Sequence, residues 1–362
     1  MTLKVTSKFG LCGLPISIDT YKNCSFGCVY CFANMGVSQA NVKDKQSIIP
    51  IDNSGIKNRL DRIKKGEHNK ESFLDMLIAE GVTWHCGGMS DPWQPAEKEL
   101  HSTANLLKIT NKYDISILFS TKTAEVDFDY LRPELHSFQL SVTNIDNRYD
   151  IEPNVSPMQK RHELYKELKN RGFRVGIRLQ PFIPNITTLG IIELFNDADY
   201  YTFEGIKLVP STPQEKRFGL LDLLNLKEQD FISLGLLSLH PDIRLEHYKP
   251  FAQKLDSLGI GYSYADNDLH HISKSKCCCG EALVNKSTDF NTTAMFYKNA
   301  NYSKTDLIDA LGVFEHCSAS TWIFTHSQGG FYTVRDFFEG RYDDSSSPWS
   351  KKFMYHRQPM LF

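Results

Sequence analysis

Short runs of β-branched and aromatic residues alternate with amphipathic helical stretches through the first two-thirds of this 362-residue chain. This alternation favours a parallel sheet with right-handed crossovers, and therefore an α/β protein. It predicts a partial (β/α)6 TIM-like barrel, whose functional groups lie at the carboxyl ends of the strands. The expected strands cover residues 15–20, 82–87, 115–121, 138–143, 173–181 and 204–209.

Two helices are predicted between these strands, over residues 96–112 and 157–171. The second has signals at both of its ends. Ser156 is the expected N-cap, Gln159 completes a capping box with it, and Gly172 ends the helix.

The pattern changes near residue 250, where a predicted helix (250–258) leads into a predicted strand (260–265) and then into a cysteine cluster. We expect the barrel to occupy residues 1–250. A C-terminal α+β subdomain rich in cysteine and aromatic residues follows over 251–342. A polar linker and a terminal tail complete the chain over 343–362.

Charge and hydropathy exclude several classes of protein. The chain has 41 Lys and Arg against 43 Asp and Glu, a net charge of −2, and so lacks the basic excess of a non-specific nucleic-acid binder. No apolar run approaches the ~18 residues that a membrane span needs. The N-terminus lacks the apolar core of a secretion signal. We therefore expect a cytoplasmic protein with no membrane partner, in which clustered cysteines indicate metal or redox chemistry.

Three cysteines, Cys24, Cys28 and Cys31, follow the first predicted strand with C-x3-C-x2-C spacing. Three thiolates on one short loop can each hold one iron of a cubane cluster, which leaves the fourth iron open for catalysis. The alternatives are a zinc knuckle or buried apolar cysteines. Zinc sites usually pair C-x2-C with a second, distant pair of ligands, so the spacing favours a [4Fe–4S] cluster.

This loop resembles the cysteine motif of the radical S-adenosylmethionine (SAM) superfamily. The motifs that follow it, over about residues 13–210, are similar in order to those of the spore photoproduct lyase branch and its uncharacterised bacterial relatives. The resemblance implies that SAM binds the open iron. An electron from a donor such as flavodoxin or ferredoxin then cleaves SAM to a 5′-deoxyadenosyl radical, which abstracts a hydrogen from the substrate. The protein binds, orients and shields the reactants.

The resemblance also implies which residues surround SAM. A glycine pair and a Ser-Asp pair end the second strand, where the family binds the methionine end of SAM. A Thr-Lys pair ends the third strand, a serine near the ribose ends the fourth, and a Glu-Pro pair comes next. Each alone could be an ordinary turn, a solvated lysine or a structural ion pair, but their succession at consecutive strand ends favours a site. The matched positions are Gly87, Gly88, Ser90, Asp91, Lys122, Ser141 and Glu152.

Two residues are candidates for catalytic hydrogen transfer, Tyr30 inside the cysteine motif and Cys86 near the lyase's hydrogen-donor cysteine. Cys86 lies four residues before Ser90, where the lyase spacing is two. The alternative role for Cys86 is that of a small buried hydrophobe. Phe32 stands where the lyase carries a relay tyrosine, and a phenyl ring has no O–H to donate. These departures argue against thymine-dimer repair as such, while SAM cleavage remains the expectation.

A second cysteine group lies outside the resemblance and combines three adjacent cysteines with a more distant one. Together they could hold an auxiliary iron–sulfur cluster or zinc, with the histidine pair at 270–271 as additional ligands. Because adjacent side chains diverge, the alternative is a loop that packs under the barrel opening. The four candidate ligands are Cys277, Cys278, Cys279 and Cys317.

The last five residues, Gln-Pro-Met-Leu-Phe, resemble the peptide by which bacterial replication and repair proteins bind the sliding clamp. Leu361 and Phe362 would fill an apolar pocket, and Gln358 would orient the peptide. With the lyase-like motif order, this tail favours a nucleobase in DNA as the substrate of repair or modification. The alternatives are a radical SAM enzyme acting on a peptide or small metabolite, and a non-catalytic DNA- or clamp-associated protein stabilised by metal.

Overall fold

The computed structural model describes residues 3–6, 12–35, 48–233, 236–266, 268–269, 272–273, 275, 277–288, 309–318 and 333–335. Strands and helices alternate along most of this length, as the sequence predicts. Among the described helices, none is both long and apolar enough to span a bilayer.

All six predicted strands are present, as β2 to β7. The last begins four residues earlier than expected, because the aromatic run at 200–203 forms its first part. The strands are β1 Leu3–Val5, β2 Ile16–Ile18, β3 Trp84–Cys86, β4 Ile117–Thr121, β5 His136–Ser141, β6 Arg174–Phe182, β7 Tyr200–Gly205, β8 Lys207–Leu208, β9 Phe231–Ser233, β10 Leu237–Leu239 and β11 Tyr262–Tyr264.

Eight of these strands form one sheet in the order β1-β2-β3-β4-β5-β6-β7-β11. Strand β1 is antiparallel to β2, and every other neighbouring pair in this sheet is parallel. The predicted α/β fold with a parallel sheet is therefore confirmed. Its helices are α1 Phe32–Met35, α2 Ser54–Lys64, α3 Phe73–Ala79, α4 Glu97–Leu100, α5 Ser102–Thr110, α6 Met158–Asn170, α7 Gly190–Leu194, α8 Gln214–Leu224 and α9 Pro241–Leu258.

The sheet continues past residue 250, where the sequence pattern suggested the end of the barrel. Helix α9 begins at Pro241, since proline is well suited to the first turn of a helix, and it contains Pro250 in its interior. The strand that follows, β11, pairs in parallel with β7. Residues 262–264 therefore belong to the main sheet and not to a separate subdomain.

Helix α6 differs from its prediction at its first residue. The Oγ of Ser156 accepts a hydrogen bond from the amide of Ala124 at 3.1 Å, so this hydroxyl does not cap the helix. The helix begins at Met158, whose amide donates a hydrogen bond to Asn147 Oδ1 at 2.7 Å. Gly172 ends it as predicted, with a φ of 82°.

The helix predicted over 96–112 is divided into α4 and α5 by His101, whose φ of 49° is left-handed. The carboxylate of Glu97 accepts hydrogen bonds from the amides of Thr103 and Ala104, both at 2.9 Å. These amides belong to the first turn of α5, so a side chain from one helix caps the next.

In sequence, the segment between β7 and α9 contains α8 and the three strands of a small antiparallel sheet, in the order β8-β10-β9. We call residues 207–233 and 236–239 the cover unit. Its apolar residues, including Leu208, Leu220 and Leu239, join Phe26 and Cys28 of the cysteine motif in one buried cluster. The cover unit therefore packs directly against the motif.

The amino-terminal end of the barrel is closed by residues 277–284, which we call the plug. The side chain of Leu283 packs with Leu118 and Tyr200 from the beginnings of two strands. At Gly176 on β6, an added Cβ would lie 2.5 Å from the Leu283 Cδ1 atom. The missing side chain at this position thus makes room for the plug.

Candidate active site

A cavity of about 160 Å³ opens at the carboxyl ends of the strands, where the sequence predicted the site. It is bordered by the loop that carries the cysteine motif and by the ends of β4, β5 and β6. The structure thus brings together most of the residues proposed from sequence. Those that line the cavity are Cys24, Cys28, Cys31, Tyr30, Gly87, Gly88, Ser90, Asp91, Lys122 and Ser141.

The cysteine loop, residues 24–31, is held by a buried amide that sequence reasoning missed. Gln94 accepts a hydrogen bond from the Ser25 amide and donates one to the Asn23 carbonyl, both at 2.8 Å. A glutamine shortly after the glycine turn gives little signal in one sequence. Its role follows from its near-complete burial beside the loop.

The three thiols suit a cluster in their chemistry and arrangement. None of the three forms a disulfide, and all border the same cavity. Burial raises the pKa of both Cys24 and Cys28 to about 12, so metal binding here would displace protons. Within the described ranges, no three His, Cys, Asp or Glu side chains converge on one metal-ion position. In a cubane cluster each thiolate binds its own iron.

The turn after β3 has a backbone that only glycine adopts readily. Gly87 has a φ of 99°, and a Cβ at this position would lie 2.2 Å from the carbonyl oxygen of Ser120. Buried Asp19, at the end of β2, accepts hydrogen bonds from the amides of Met89 at 2.7 Å and Ser90 at 3.2 Å. Burial raises the pKa of Asp19, although these amides act to lower it. An aspartate directly after a buried strand is the signal that could have identified it.

Asp91 connects the glycine turn with the end of β4. Its carboxylate accepts hydrogen bonds from the Thr121 hydroxyl at 2.8 Å and from the Lys122 amide at 2.7 Å. The Trp93 amide donates a further bond at 3.0 Å. Burial raises the pKa of Asp91 against these bonds. Because its oxygens are occupied within the chain, Asp91 positions the neighbouring strand ends.

An ion pair between Lys122 and Glu152 lies beside the cavity, with 2.9 Å between Nζ and Oε1. The Tyr30 hydroxyl donates to the same Glu152 oxygen and contacts the Thr143 hydroxyl at 3.2 Å. Burial opposes the charge on Glu152, but Lys122 and Arg161 outweigh it, and the pKa of Glu152 is lowered. The carboxylate is therefore ionised at neutral pH.

The structure places Cys86 away from the cavity, which argues against a hydrogen-donor role for this thiol. On strand β3, the preceding side chain of His85 points into the barrel and contacts the Ser120 hydroxyl at 2.8 Å. Successive side chains on a strand point to opposite faces, so Cys86 faces the helices. It is fully buried there in the same apolar cluster as Trp84 and Phe119. Tyr30 does border the cavity, and its catalytic role stays a prediction.

The structure also argues against a shared metal site for the second cysteine group, because its members lie in two different apolar clusters. Cys277 and Cys279 are buried in the plug, whereas Cys317 belongs to the main core, with its Sγ 3.5 Å from the Lys70 carbonyl oxygen. The carbonyl of Cys278 accepts hydrogen bonds from barrel side chains, so the segment acts as a loop packed into the barrel. The histidine pair at 270–271 lies outside the described residues.

The terminal tail, with Gln358, Leu361 and Phe362, also lies outside the described residues. Its binding to a sliding clamp therefore stays a prediction.

Sequence reasoning missed the second polar wall of the cavity, which consists of Arg178 on β6 and Lys207 on β8. Both contact Glu204 of β7, Arg178 at 3.5 Å. Burial and Arg178 lower the pKa of the adjacent His85 to about 3, so this imidazole is neutral. The available signal was a lysine or arginine between apolar residues in two of the predicted strands, 173–181 and 204–209.

No family model matches the chain. An uncharacterised protein of Methanocaldococcus jannaschii is 25% identical over 206 residues, which cover 55% of this chain and 73% of that protein. Solved structures of spore photoproduct lyase share the fold. One variant has a TM-score of 0.55 at 15% identity. Another, with bound AdoMet and dinucleoside spore photoproduct, has a TM-score of 0.53 at 13% identity. Both alignments cover 73% of this chain and 78% of the lyase.

The resemblance first seen in the cysteine loop and strand-end motifs thus extends to the arrangement of strands and helices over most of the chain. The predicted partial barrel is confirmed by this comparison. The chain has the radical SAM partial-barrel fold in the form found in spore photoproduct lyase.

Proposed function

We propose that this chain is a radical SAM enzyme. Cys24, Cys28 and Cys31 would hold a [4Fe–4S] cluster, and SAM would bind beside it in the cavity. One observation carries the proposal, namely that all three cysteines border the same cavity as the glycine turn and Lys122, at the carboxyl ends of the strands. This is where barrel enzymes have their active sites.

With an electron from a donor such as flavodoxin or ferredoxin, the bound cluster and SAM would supply a 5′-deoxyadenosyl radical able to take hydrogen from a substrate. The residues of the chain bind and orient. Asp19 fixes the glycine turn through the Met89 and Ser90 amides, so its backbone can approach the methionine end of SAM. The Lys122–Glu152 pair and Ser141 would border the rest of SAM.

Besides binding and orienting SAM, the site must exclude water, and we assign this role to the cover unit. Its leucines pack with Phe26, Cys28 and Tyr30 in one buried cluster. Removing water strengthens every electrostatic interaction within a site and protects reactive species from side reactions. The cover unit would therefore shield the cluster side of the cavity.

The substrate that we propose is a nucleobase in DNA, which the enzyme repairs or modifies. Two observations support it, the lyase-like fold and the clamp-like tail. The lyase structure contains a dinucleoside photoproduct, which makes a nucleobase a reasonable first candidate here. The near-neutral charge of the chain favours the second candidate, a peptide or small metabolite, since such substrates need no basic surface.

The test is 5′-deoxyadenosine production by anaerobically reconstituted protein with SAM and dithionite, with and without single-stranded and duplex DNA. We expect production that DNA stimulates. Production that DNA leaves unchanged would remove the DNA substrate but keep the radical chemistry. No production under any reducing condition would overturn the proposed function, and would favour a non-catalytic role.

We further propose that the tail brings the enzyme to DNA through a bacterial sliding clamp. The full chain should bind a purified clamp, and a Leu361→Ala/Phe362→Ala variant should lose that binding, because these side chains would fill the apolar pocket. Met360→Ala is the matched control and should bind normally. Equal binding by both variants, or no binding by the parent chain, would contradict clamp docking.

A further inference from the structure

One side of the cavity is lined by residues of β6, β7 and β8, to which the resemblance assigns no contact with SAM. The polar side chains on this side include Arg178, Gln180 and Lys207. The Arg178 and Lys207 side chains are only 15% and 14% exposed. We call this pair the donor wall, because a guanidinium and an ammonium carry hydrogen-bond donors and no acceptors.

The donor wall has more hydrogen-bonding capacity than the chain uses. Arg178 donates through Nη1 to the Ser120 hydroxyl at 3.1 Å and contacts His85 Nε2 at 3.4 Å, and its Nη2 lies 3.5 Å from Glu204, the limit of a hydrogen bond. Its buried Nε has no partner among the described residues. Lys207 donates to the other oxygen of Glu204. Since unsatisfied buried donors are costly, a group that enters here should supply oxygen acceptors.

The charge balance decides which kind of acceptor fits. Glu204 contacts both cations of the donor wall, and the adjacent Arg244 pairs with Asp266 at 3.0 Å and with Asp268. Three cations therefore face three carboxylates, so the region is close to neutral when all are ionised. A phosphate or carboxylate would add an uncompensated negative charge in a poorly solvated site. A neutral carbonyl oxygen accepts hydrogen bonds without that cost.

We propose that Arg178 and Lys207 determine substrate specificity by binding carbonyl oxygens of the substrate. The inference rests on the proposed function, and it restricts the nucleobase to one that carries a carbonyl. Thymine, cytosine and guanine qualify, whereas adenine has none. Arg178 contributes a planar fork that can bind an oxygen-bearing edge, and Lys207 contributes a point donor.

The test is the binding of labelled ten-nucleotide oligo-dT, oligo-dC and oligo-dA to the reconstituted protein with SAM, measured by fluorescence anisotropy. The parent protein should bind oligo-dT and oligo-dC more tightly than oligo-dA. Arg178→Gln should reduce that preference about tenfold, the equivalent of one charge-assisted hydrogen bond. Arg178→Lys, which keeps the charge and loses the fork, should retain part of it. Arg171→Gln, at an exposed arginine on the surface, is the matched control.

Equal binding of all three oligonucleotides, or no binding of any, would overturn the inference. So would a preference that survives in Arg178→Gln. Because binding is measured separately from 5′-deoxyadenosine, the two proposals fail independently. Base discrimination without SAM cleavage would contradict only the proposed chemistry. SAM cleavage with equal binding of the three oligonucleotides would contradict only the role of the donor wall, and SAM cleavage with no binding of any would also contradict a DNA substrate. If a variant fails to fold, equal binding of the three oligonucleotides by the parent protein still overturns the inference.

Discussion

The two cysteine groups of this chain lie at opposite ends of the same barrel and have different surroundings. The cysteine loop follows β2 at the carboxyl end, and its three thiols border a cavity. The plug closes the amino-terminal end, and there Cys277 and Cys279 are packed among apolar residues such as Leu14 and Leu283.

Hydrogen bonds reinforce this difference. In the plug, Gln139 donates to the carbonyl of Cys279 at 3.0 Å, and Ser263 donates to that of Cys278 at 2.6 Å. The barrel thus binds the backbone of the plug. In the loop, Gln94 fixes the backbone outside the cavity and leaves the thiols facing it. In this chain the two cysteine groups differ in the partners of their backbone and in whether their thiols border a cavity or pack against apolar side chains.

The strongest test of this contrast removes one cysteine from each group. Cys24→Ala should lose cluster iron and all SAM cleavage, because a cubane with only two protein ligands is not held. Cys278→Ala should keep the iron of the parent protein. The measurement is iron and sulfide content after anaerobic reconstitution. Full iron content in Cys24→Ala would contradict the cysteine loop as the cluster site, and iron loss in Cys278→Ala would contradict a purely structural plug.

The two glycines of the turn after β3 provide a second test. Gly87→Ala should destabilise the protein by about 3 kcal/mol, because it combines a left-handed backbone with a 2.2 Å approach to the Ser120 carbonyl. Gly88→Ala, whose Cβ would meet its nearest atom at 4.0 Å, should change stability by less than about 1 kcal/mol. Urea unfolding gives both free energies. Equal effects would contradict the turn geometry.

Glu152 allows a test with a predicted pH dependence. Glu152→Gln should cost about 2 kcal/mol at neutral pH, since it leaves the mostly buried Lys122 without its counter-ion. The folded state lowers the pKa of Glu152 below its ordinary value of 4.5. Its contribution is therefore complete above that pH and is lost as the pH falls through the lower, folded value. Urea unfolding of both proteins should show a difference that shrinks below pH 4.5; a constant difference would contradict this origin.

Cys317 should give the smallest effect. It is a buried thiol in the main core, away from both the cavity and the plug. Cys317→Ala should destabilise the protein by about 1 kcal/mol through lost packing and leave iron content unchanged. Thermal unfolding and iron analysis check the two parts. A loss of iron would restore Cys317 as a metal ligand.

Sequence reasoning succeeded where a local pattern carries the information. The strand–helix alternation identified the sheet, and the spacing of Cys24, Cys28 and Cys31 located one edge of the cavity. The matched strand ends follow because the carboxyl ends of parallel strands meet on one face. Lys122 and Ser141 were placed through their match to the lyase motifs at the third and fourth strand ends, without any knowledge of the packing.

The failures depend on contacts between distant parts of the chain. The sequence comparison placed Cys86 on the cavity side of its strand. A shift of one residue along a strand moves a side chain to the opposite face, and the motif spacing did not fix that position. The hydroxyl of Ser156 has a partner 32 positions away in sequence, so local capping rules do not apply. Likewise, only the assembled sheet shows the pairing of β11 with β7, the amides that Asp19 binds and the proximity of Arg178 to Lys207.

The central claim is that the cysteine loop holds a [4Fe–4S] cluster with an iron open to SAM. Electron paramagnetic resonance of the anaerobically reconstituted and reduced protein, recorded with and without SAM, tests it most directly. We predict a reduced [4Fe–4S] signal whose shape changes when SAM is added, and which is absent in Cys24→Ala. A signal that SAM leaves unchanged, or one that persists in Cys24→Ala, would contradict the account.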